Sequence, residues 1–347
     1  MLVGCSVYTL AVATESFLII AISNPLLVPM SSIMAIIMKS KHISLLILFS
    51  IVFLVGVMAG AFIQKTIGVG NILRSVGVAY PTRTALADPN YFPVTEIPKE
   101  HQGRMHLFIL AGQSNMVGWS PIPEGERTDP RIYVFGKDYH WRIADHPIED
   151  ASNQVDLVSE NRLAGFGPGM DFAFALLESQ PDILIGLIPC AKNSSGIIQW
   201  QRDLSDQSLY GSCLKRVRAA SPMGEVAGIL FFQGETDAAD PVQYPDPPPH
   251  PSEWSELFIA FIIDMRNDLN EPDLPVVFAQ IGSTWAPEAY PNWDFIMQQQ
   301  ASLQLHRSGM IITSDLPLRD GIHFTTDSYR IIGSRFANAY RELVGQP

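Results

Sequence analysis

The chain has 347 residues, of which 47% are hydrophobic, and this is enough to bury a large core. Its formal net charge is −12, but residues 1–75 hold four basic residues and one acid and carry +3, so the remaining 272 residues carry −15. A domain this acidic lacks the positive surface that binds nucleic acid, so we expect no nucleic-acid partner.

An uncharged apolar segment at residues 43–63 is the first long element of the chain. Its 21 residues can cross a hydrocarbon core of about 30 Å as a helix, so the pattern predicts a transmembrane helix or signal anchor. Lys39 and Lys41 precede the segment, and the positive-inside tendency then places the following domain outside the cytoplasm. We therefore expect a membrane as partner of this segment.

Two alternatives stay open for this N-terminal part. Residues 17–38 are also uncharged and could form a second span, although prolines interrupt them. The 43–63 segment could also be a cleaved signal peptide, which would release a secreted domain. The predicted organisation is an N-terminal segment at 1–42, the apolar helix at 43–63, a proline-containing linker at 64–104 and a globular domain at 105–347.

Five short apolar runs alternate with segments of helical period in the globular part. The runs are typical of strands buried on both faces and lie at 107–110, 183–188, 226–232, 276–281 and 310–313. The predicted helices lie at 170–177, 209–220, 254–269, 295–306 and 328–343. This alternation predicts a three-layer α/β/α sandwich around a five-stranded parallel sheet. Residues 117–166 are interpreted as a long polar insertion after the first strand.

The three cysteines are too few for a disulfide-built scaffold or a four-thiolate zinc site. Cys190 and Cys213 could form a disulfide if their Cα atoms lie within about 7 Å, but we favour two separate, buried small side chains. Glu235, Asp237 and Asp240 have no histidine or regular ligand spacing beside them. We therefore expect no metal site.

Three motifs lie where predicted strands end or the last helix begins, which is where α/β proteins collect reacting groups. They are GQSNM at 112–116, QGETD at 233–237 and DGIH at 320–323. Gly112 allows a sharp turn that presents Ser114 at the end of its strand. A serine hydroxyl needs a base and a third group that orients the base, and His323 and Asp320 suit these two roles.

Five ordered motifs resemble those of the SGNH hydrolases, in particular the sialate O-acetylesterase and acetylxylan esterase-like group called carbohydrate esterase family six. The motifs are ILAGQSNMVG, GFGPGMDFA, IGLIPCA, ILFFQGETDA and DGIHFTTDSYRIIGSRFA. They span roughly residues 107–337. The resemblance implies a flavodoxin-like α/β/α fold, no metal or organic cofactor, and removal of acetyl groups from sugar hydroxyls.

The resemblance also implies roles for individual residues. Ser114 is expected to be the nucleophile, His323 the general base and Asp320 the acid that orients the base. The Gln233 side chain and the Ser194 amide are expected to join the Ser114 amide in an oxyanion hole. The remaining residues with expected roles are Trp200 in substrate binding and, as support for the site, Gln113, Asn115 and Glu235.

One departure from the family pattern affects the expected oxyanion hole. Family members carry a Gly-Gly pair after the IPCA segment, where this chain has Asn193 and Ser194. A position with φ > 0 accepts Asn better than Ser. Because loss of one oxyanion donor lowers the rate about a hundredfold or more, a weak activity or an unusual substrate would follow.

Two further assignments stay open from the residues alone. Glu235 or Asp315 could orient His323 in place of Asp320, because both lie near the predicted site in motif order. Trp200 and Trp285 could stack on a sugar ring or belong to the core or the rim of the site.

The sequence therefore predicts a serine hydrolase that deacetylates O-acetylated carbohydrates, or acts on another small ester, through an acyl-enzyme on Ser114. Two other functions remain in competition with it. A lipid or thioester hydrolase on the same fold would profit from the membrane tether. A non-catalytic sugar-binding module would agree with the missing Gly-Gly pair.

Overall fold

The computed structural model describes Gly56 and residues 93–345, apart from 152, 157 and 162. The apolar segments at 17–38 and 43–63 lie, except for Gly56, outside the described residues, so the membrane helix stays a prediction. No helix in the described part of the chain is long and apolar enough to cross a bilayer. The strands and helices given below all belong to the compact unit Pro81–Pro347.

A mostly parallel sheet forms the centre of this unit. Its strands are β1 (Met105–Gly112), β2 (Ile132–Phe135), β3 (Trp141–Ile143), β4 (Leu184–Pro189), β5 (Gly224–Phe232), β6 (Val276–Ala279) and β7 (Ser308–Ile311). They lie in the order β3-β2-β4-β1-β5-β6-β7, and β2 and β3 form the antiparallel pair at one edge. The central strands are almost entirely apolar because helices cover both faces of the sheet.

Helices on both faces complete a three-layer sandwich, as predicted. They are α1 (Ser114–Val117), α2 (Gly169–Ser179), α3 (Leu209–Ala220), α4 (Trp254–Leu269), α5 (Trp293–Ser302) and α6 (Thr326–Leu343). Successive residues of a strand face opposite sides, so β1 contributes to two cores. Phe108 and Leu110 pack with α2 and α6, whereas Leu107 and Ile109 pack with α3, α4 and α5.

The expectation of a five-stranded, wholly parallel sheet is wrong, since the described residues form seven strands. Five of them match the predicted apolar runs to within a few residues. The other two, β2 and β3, lie in the segment interpreted as a polar insertion and form a hairpin in which Phe135 is opposite Trp141. Strands of four and three residues contain too few alternations to give a periodic signal.

Residues just before β1 pack against this hairpin edge. The Thr95 amide donates a hydrogen bond to the Trp141 carbonyl at 2.8 Å, and Ile97 is buried in the core with 8% exposure. The packed domain therefore includes residues from the range predicted as a linker, before residue 105.

Cys190 and Cys213 form a disulfide with their Cα atoms 5.3 Å apart, so the interpretation as two separate side chains is wrong. Cys190 directly follows β4, and Cys213 lies in α3, which packs on that face of the sheet. The contact depends on how α3 crosses the sheet, and the spacing of 23 residues carries no sign of it.

Candidate active site

The carboxyl ends of β1 and β5 lie side by side, and the first two motifs begin there. Gly112 ends β1 opposite Phe232. Its φ of 125° lies in the region that favours glycine, and a Cβ at this position would lie 2.2 Å from the Phe232 carbonyl oxygen. Glycine therefore lets the chain turn at this point and places Ser114 at the start of α1.

Ser114, His323 and Asp320 form one hydrogen-bonded chain. Ser114 Oγ lies 2.8 Å from His323 Nε2, although the two residues are 209 positions apart in sequence. On the other side of the ring, Nδ1 lies 2.9 Å from each carboxylate oxygen of Asp320. In the neutral ring, Nδ1–H donates to Asp320 and Nε2 accepts the serine proton, which is the tautomer that general-base chemistry needs.

The loop that carries Asp320 holds its carboxylate in the ionised form. Oδ1 accepts the backbone N–H groups of Ile322 at 3.1 Å and His323 at 2.9 Å. Burial raises the pKa of Asp320, but the hydrogen bond and charge of His323 and these two amides outweigh burial, so the pKa lies below its ordinary value. The loop is closed by the Arg319 amide, which donates to the His323 carbonyl at 2.7 Å.

The two other acids that the sequence left open contact different partners. Glu235 is buried and accepts a hydrogen bond from Asn115 Nδ2, and burial raises its pKa. Asp315 is exposed and forms an ion pair with Arg335 at 2.6 Å. Asp320 is therefore the carboxylate that meets the ring. Within the described ranges, no group of three or more His, Cys, Asp and Glu side chains is arranged to hold a metal ion.

Asn115 and Gln113, which flank Ser114, tie its turn to the neighbouring loops. Asn115 Nδ2 also donates to the Ile322 carbonyl at 3.1 Å, and its Oδ1 accepts the Tyr329 hydroxyl at 2.6 Å. Gln113 Oε1 accepts the Thr236 amide at 3.1 Å. The three motifs are thus cross-linked by buried side chains, which fixes Ser114 relative to the 320–323 loop.

Comparison with known proteins identifies the family. A family model described as carbohydrate esterase, sialic acid-specific acetylesterase, matches residues 104–342. The chain belongs to this family. It is also 30% identical over 255 residues to a probable carbohydrate esterase from Arabidopsis thaliana, and that match covers 67% of this chain and 89% of the relative. The chain is therefore a carboxylic ester hydrolase, called the esterase below.

Solved structures share the fold of the esterase. An X-ray structure of a protein from Arabidopsis thaliana superposes with a TM-score of 0.58 at 27% identity, covering 69% of this chain and 99% of that one. A carbohydrate acetylesterase from Xanthomonas citri gives a TM-score of 0.53 at 19% identity, covering 70% of this chain and 57% of that one. The fold is therefore shared with these two solved structures.

The Gln233 side chain of the esterase is engaged inside the protein, which corrects the expectation that it donates to an oxyanion. It is fully buried, and its Nε2 donates to Asp237 Oδ2 and to the Ser195 carbonyl. Its Oε1 accepts the Trp254 indole N–H at 2.8 Å. Gln233 therefore connects the loops behind the site. Both hydrogens of its Nε2 already have acceptors inside the protein, so neither is available to a substrate.

The loop at 190–196 brings Ser194 to the same edge of the sheet. Lys192 N donates to the Gly112 carbonyl at 2.9 Å, so this loop and the Ser114 turn are in direct contact. Ser194 has a φ of 60°, is exposed, and its amide has no acceptor among the described residues. Asn193 is held by Asn161 Oδ1, which accepts its amide at 2.8 Å. Ser194 thus has a left-handed backbone conformation, which is the conformation that glycine adopts most easily.

A buried ion pair contacts the 190–196 loop from the interior of the protein. Lys137 Nζ and Glu149 Oε2 form an ion pair at 2.7 Å, with both side chains almost inaccessible. Lys137 also donates to the Ala191 carbonyl, and Glu149 accepts the Ala191 amide. Burial lowers the pKa of Lys137, and the charge of Glu149 opposes that effect. Nearby, Arg216 pairs with Asp156 at 2.7 Å.

Trp200 lies in the core, which corrects the expectation that it binds substrate. Its exposure is 0%, and its indole N–H donates to Ser195 Oγ at 3.1 Å. The ring packs against Phe231 and Phe261 with centroids 5.9 Å and 5.5 Å apart. Trp200 therefore fixes the loop at 190–196 from inside and cannot reach a ligand.

Trp119 is a neighbour of the proton relay formed by Ser114, His323 and Asp320, and it was not predicted from the sequence. Its indole stacks on the His323 ring, with centroids 4.8 Å apart and planes inclined by 20°. Its carbonyl accepts a hydrogen bond from Arg319 Nη1, so the segment after α1 is attached to the 320–323 loop. An aromatic residue directly after the glycine that ends the GQSNMVG motif was the available signal.

Proposed function

We propose that the esterase removes acetyl groups from O-acetylated carbohydrates through an acyl-enzyme on Ser114. The contact between Ser114 Oγ and His323 Nε2, on a ring held by Asp320, is the observation that carries the proposal. Family membership supports a carbohydrate ester as the substrate class. The names of two similar proteins, a probable carbohydrate esterase and a carbohydrate acetylesterase, agree with that class.

Acylation begins when Ser114 Oγ attacks the acetyl carbonyl carbon and its proton passes to His323 Nε2. Asp320 stabilises the imidazolium that forms, and it stays ionised because its pKa is low. The tetrahedral intermediate then breaks its bond to the sugar oxygen, which takes the proton from Nε2. The products of this half-reaction are a free sugar hydroxyl and acetyl-Ser114.

Deacylation repeats these steps with water as the nucleophile. His323 accepts a proton from water, the hydroxide attacks the acetyl carbonyl, and the bond to Ser114 Oγ breaks as Nε2 returns the proton to that oxygen. Acetate leaves and the starting enzyme is restored. The amides of Ser114 and Ser194 are the proposed donors to the oxyanion, because the Gln233 side chain is engaged elsewhere.

The test is acetate release by the purified full chain and its Ser114→Ala variant from an acetylated xyloside and an acetylated sialic acid. Loss of the nucleophile should lower kcat by about a thousandfold or more. Ser334→Ala is a matched control, since Ser334 is exposed on α6, and it should behave like wild type. A fluorophosphonate probe should label wild type and the control but not Ser114→Ala.

Other outcomes would point to the competing functions. Equal acetate release by wild type and Ser114→Ala would contradict an acyl-enzyme on this serine. Rates that rise strongly with acyl chain length would favour the lipid or thioester hydrolase. Sugar binding without turnover and without probe labelling would favour the non-catalytic module.

We further propose that this domain works outside the cytoplasm, held at a membrane by residues 43–63 or secreted after their cleavage. The disulfide supports an oxidising compartment, since such bonds are rare in the cytosol. The uncharged 21-residue segment supports an anchor. Protease added to intact cells should digest the membrane-bound domain, and digestion that requires cell lysis would contradict this location.

A further inference from the structure

Trp285 is the exposed tryptophan of the domain. Of the six tryptophans, three are buried and two are half-buried, whereas Trp285 is 63% exposed. An exposed indole is unfavourable in water, and tryptophan is enriched at sites of interaction because it combines a large apolar ring with a polar N–H group. The location of Trp285 decides whether this surface belongs to the active site.

Trp285 follows β6, whose carboxyl end lies next to that of β5 at the edge that carries the relay. Its backbone N–H donates to the Gly321 carbonyl at 3.0 Å, and Thr284 Oγ1 donates to the same oxygen at 3.1 Å. Gly321 lies between Asp320 and His323 in sequence. Trp285 is therefore attached directly to the loop that carries both relay partners of Ser114.

The segment that presents Trp285 is fixed at several points. The Trp293 indole N–H donates to the Gly282 carbonyl, and the Ala286 amide donates to Thr284 Oγ1 at 3.1 Å. Further along, the Asp240 amide donates to the Ala289 carbonyl at 2.9 Å. A backbone segment held in this way loses little conformational entropy when a ligand binds to the side chain that it carries.

A second exposed aromatic side chain on these loops already has a protein partner. Tyr244 stacks on Tyr290, with ring centroids 6.0 Å apart and planes inclined by 16°. No ring contact of Trp285 with another aromatic residue occurs in the described part of the chain. Of these two exposed aromatic side chains, Trp285 is therefore the one whose ring face has no aromatic partner.

We propose that Trp285 is the sugar-stacking residue of the esterase and receives the pyranose ring of an O-acetylated carbohydrate while its acetyl group reaches Ser114. This inference rests on the proposed function. The C–H bonds on one face of a pyranose form an apolar surface, and stacking removes that surface and the indole from water together. The sugar hydroxyls at the ring edge remain hydrated.

The test measures binding of an acetylated methyl xyloside to the full chain by calorimetry in the Ser114→Ala background, where the ester is not consumed. Adding Trp285→Ala should weaken the Kd about tenfold, the size expected of an aromatic stacking contact. Trp285→Phe should keep most of the affinity. Ile263→Ala is the control, because Ile263 is 45% exposed on α4 and should leave the Kd unchanged.

Turnover in the Ser114 wild-type background separates this inference from the proposed function. Trp285→Ala should raise KM about tenfold for acetylated xyloside and acetylated sialic acid, leaving kcat nearly the same and hydrolysis of ethyl acetate unaffected. An unchanged Kd and KM would overturn the stacking role while leaving Ser114 chemistry intact. An equal fall of kcat for sugar esters and ethyl acetate would also overturn it, since Trp285 would then only support the 320–323 loop.

Discussion

Trp119 covers one face of the His323 imidazole, with the ring centroids 4.8 Å apart. The face of an indole carries negative partial charge, so this stack favours the positively charged ring. In the proposed reaction His323 becomes positive in both half-reactions, when it takes the proton of Ser114 and later that of water. Trp119 is thus a positioning residue that favours the charged state of the base.

We predict that Trp119→Leu lowers kcat about tenfold. Without the stack, the positively charged His323 ring that forms in the transition state is stabilised less. Trp119→Phe keeps an aromatic face on the ring, so its kcat should lie between those of Trp119→Leu and wild type. The measurement is kcat with ethyl acetate for the three proteins. An equal loss in Trp119→Leu and Trp119→Phe would contradict a role of the aromatic face.

Asp320→Asn should lower kcat by about ten-thousandfold, because an amide can hold the wrong ring tautomer and cannot stabilise the imidazolium. Asp315→Asn is the matched control, since it removes an acid of the same loop region whose ion pair is with Arg335. That control should change kcat by less than about twofold. Similar losses in the two variants would argue that loop integrity, and not the contact with Nδ1, supports the base.

We predict that Glu235 stabilises the folded protein in its neutral, protonated form. Its Oε2 is buried without a hydrogen-bond partner, and burial raises its pKa above the ordinary value of 4.5. Because the folded state favours the protonated carboxyl, the stability that Glu235 contributes is fully present below the ordinary pKa and is lost as pH rises through the higher folded-state pKa. Glu235→Gln should remove this pH dependence while keeping an acceptor for Asn115.

Glu235→Ala provides the contrast. It leaves the buried Asn115 Nδ2 short of an acceptor and should lower the free energy of unfolding by about 1–3 kcal/mol relative to Glu235→Gln at all pH values, since neither replacement titrates. Urea denaturation of the three proteins between pH 4 and pH 9 makes the comparison. A Glu235→Gln protein that loses stability with rising pH in parallel with wild type would show that Glu235 is ionised in the folded state.

The relay could be predicted from the sequence because each member stands beside a recognisable turn. Gly112 precedes Ser114 by two residues, and Asp320 and His323 lie in one short loop. Short sequence motifs therefore predicted both the serine turn and the Asp–His loop. The positions of Gln233 and Trp200 could not be predicted in this way. Gln233 is turned inward by Trp254 from α4, and Trp200 is covered by Phe261 from the same helix. The order of motifs along the chain gives no information about how a helix packs on these side chains.

The same limit explains the disulfide and the edge hairpin. Cys190 and Cys213 meet because α3 crosses the sheet beside β4, and β2 and β3 pair because a turn brings Phe135 opposite Trp141. Both contacts depend on tertiary arrangement more than on residue type. The long apolar runs of the central strands, by contrast, reflect burial on both faces and are visible in any window of the sequence.

The disulfide should stabilise the domain and also the loop that carries Ser194. Closing a loop of 23 residues reduces the entropy of the unfolded chain and stabilises the folded state by about 3 kcal/mol. Since Cys190 is the first residue of the 190–196 loop, opening the bond should also reduce kcat through the Ser194 amide. Denaturation and ester hydrolysis by wild type, with and without reductant, measure both effects.

A Cys190→Ser, Cys213→Ser double variant is the control. It should match reduced wild type and be unaffected by the reductant, because it has no disulfide to reduce. Equal stability of wild type in both conditions would contradict a stabilising role of the disulfide.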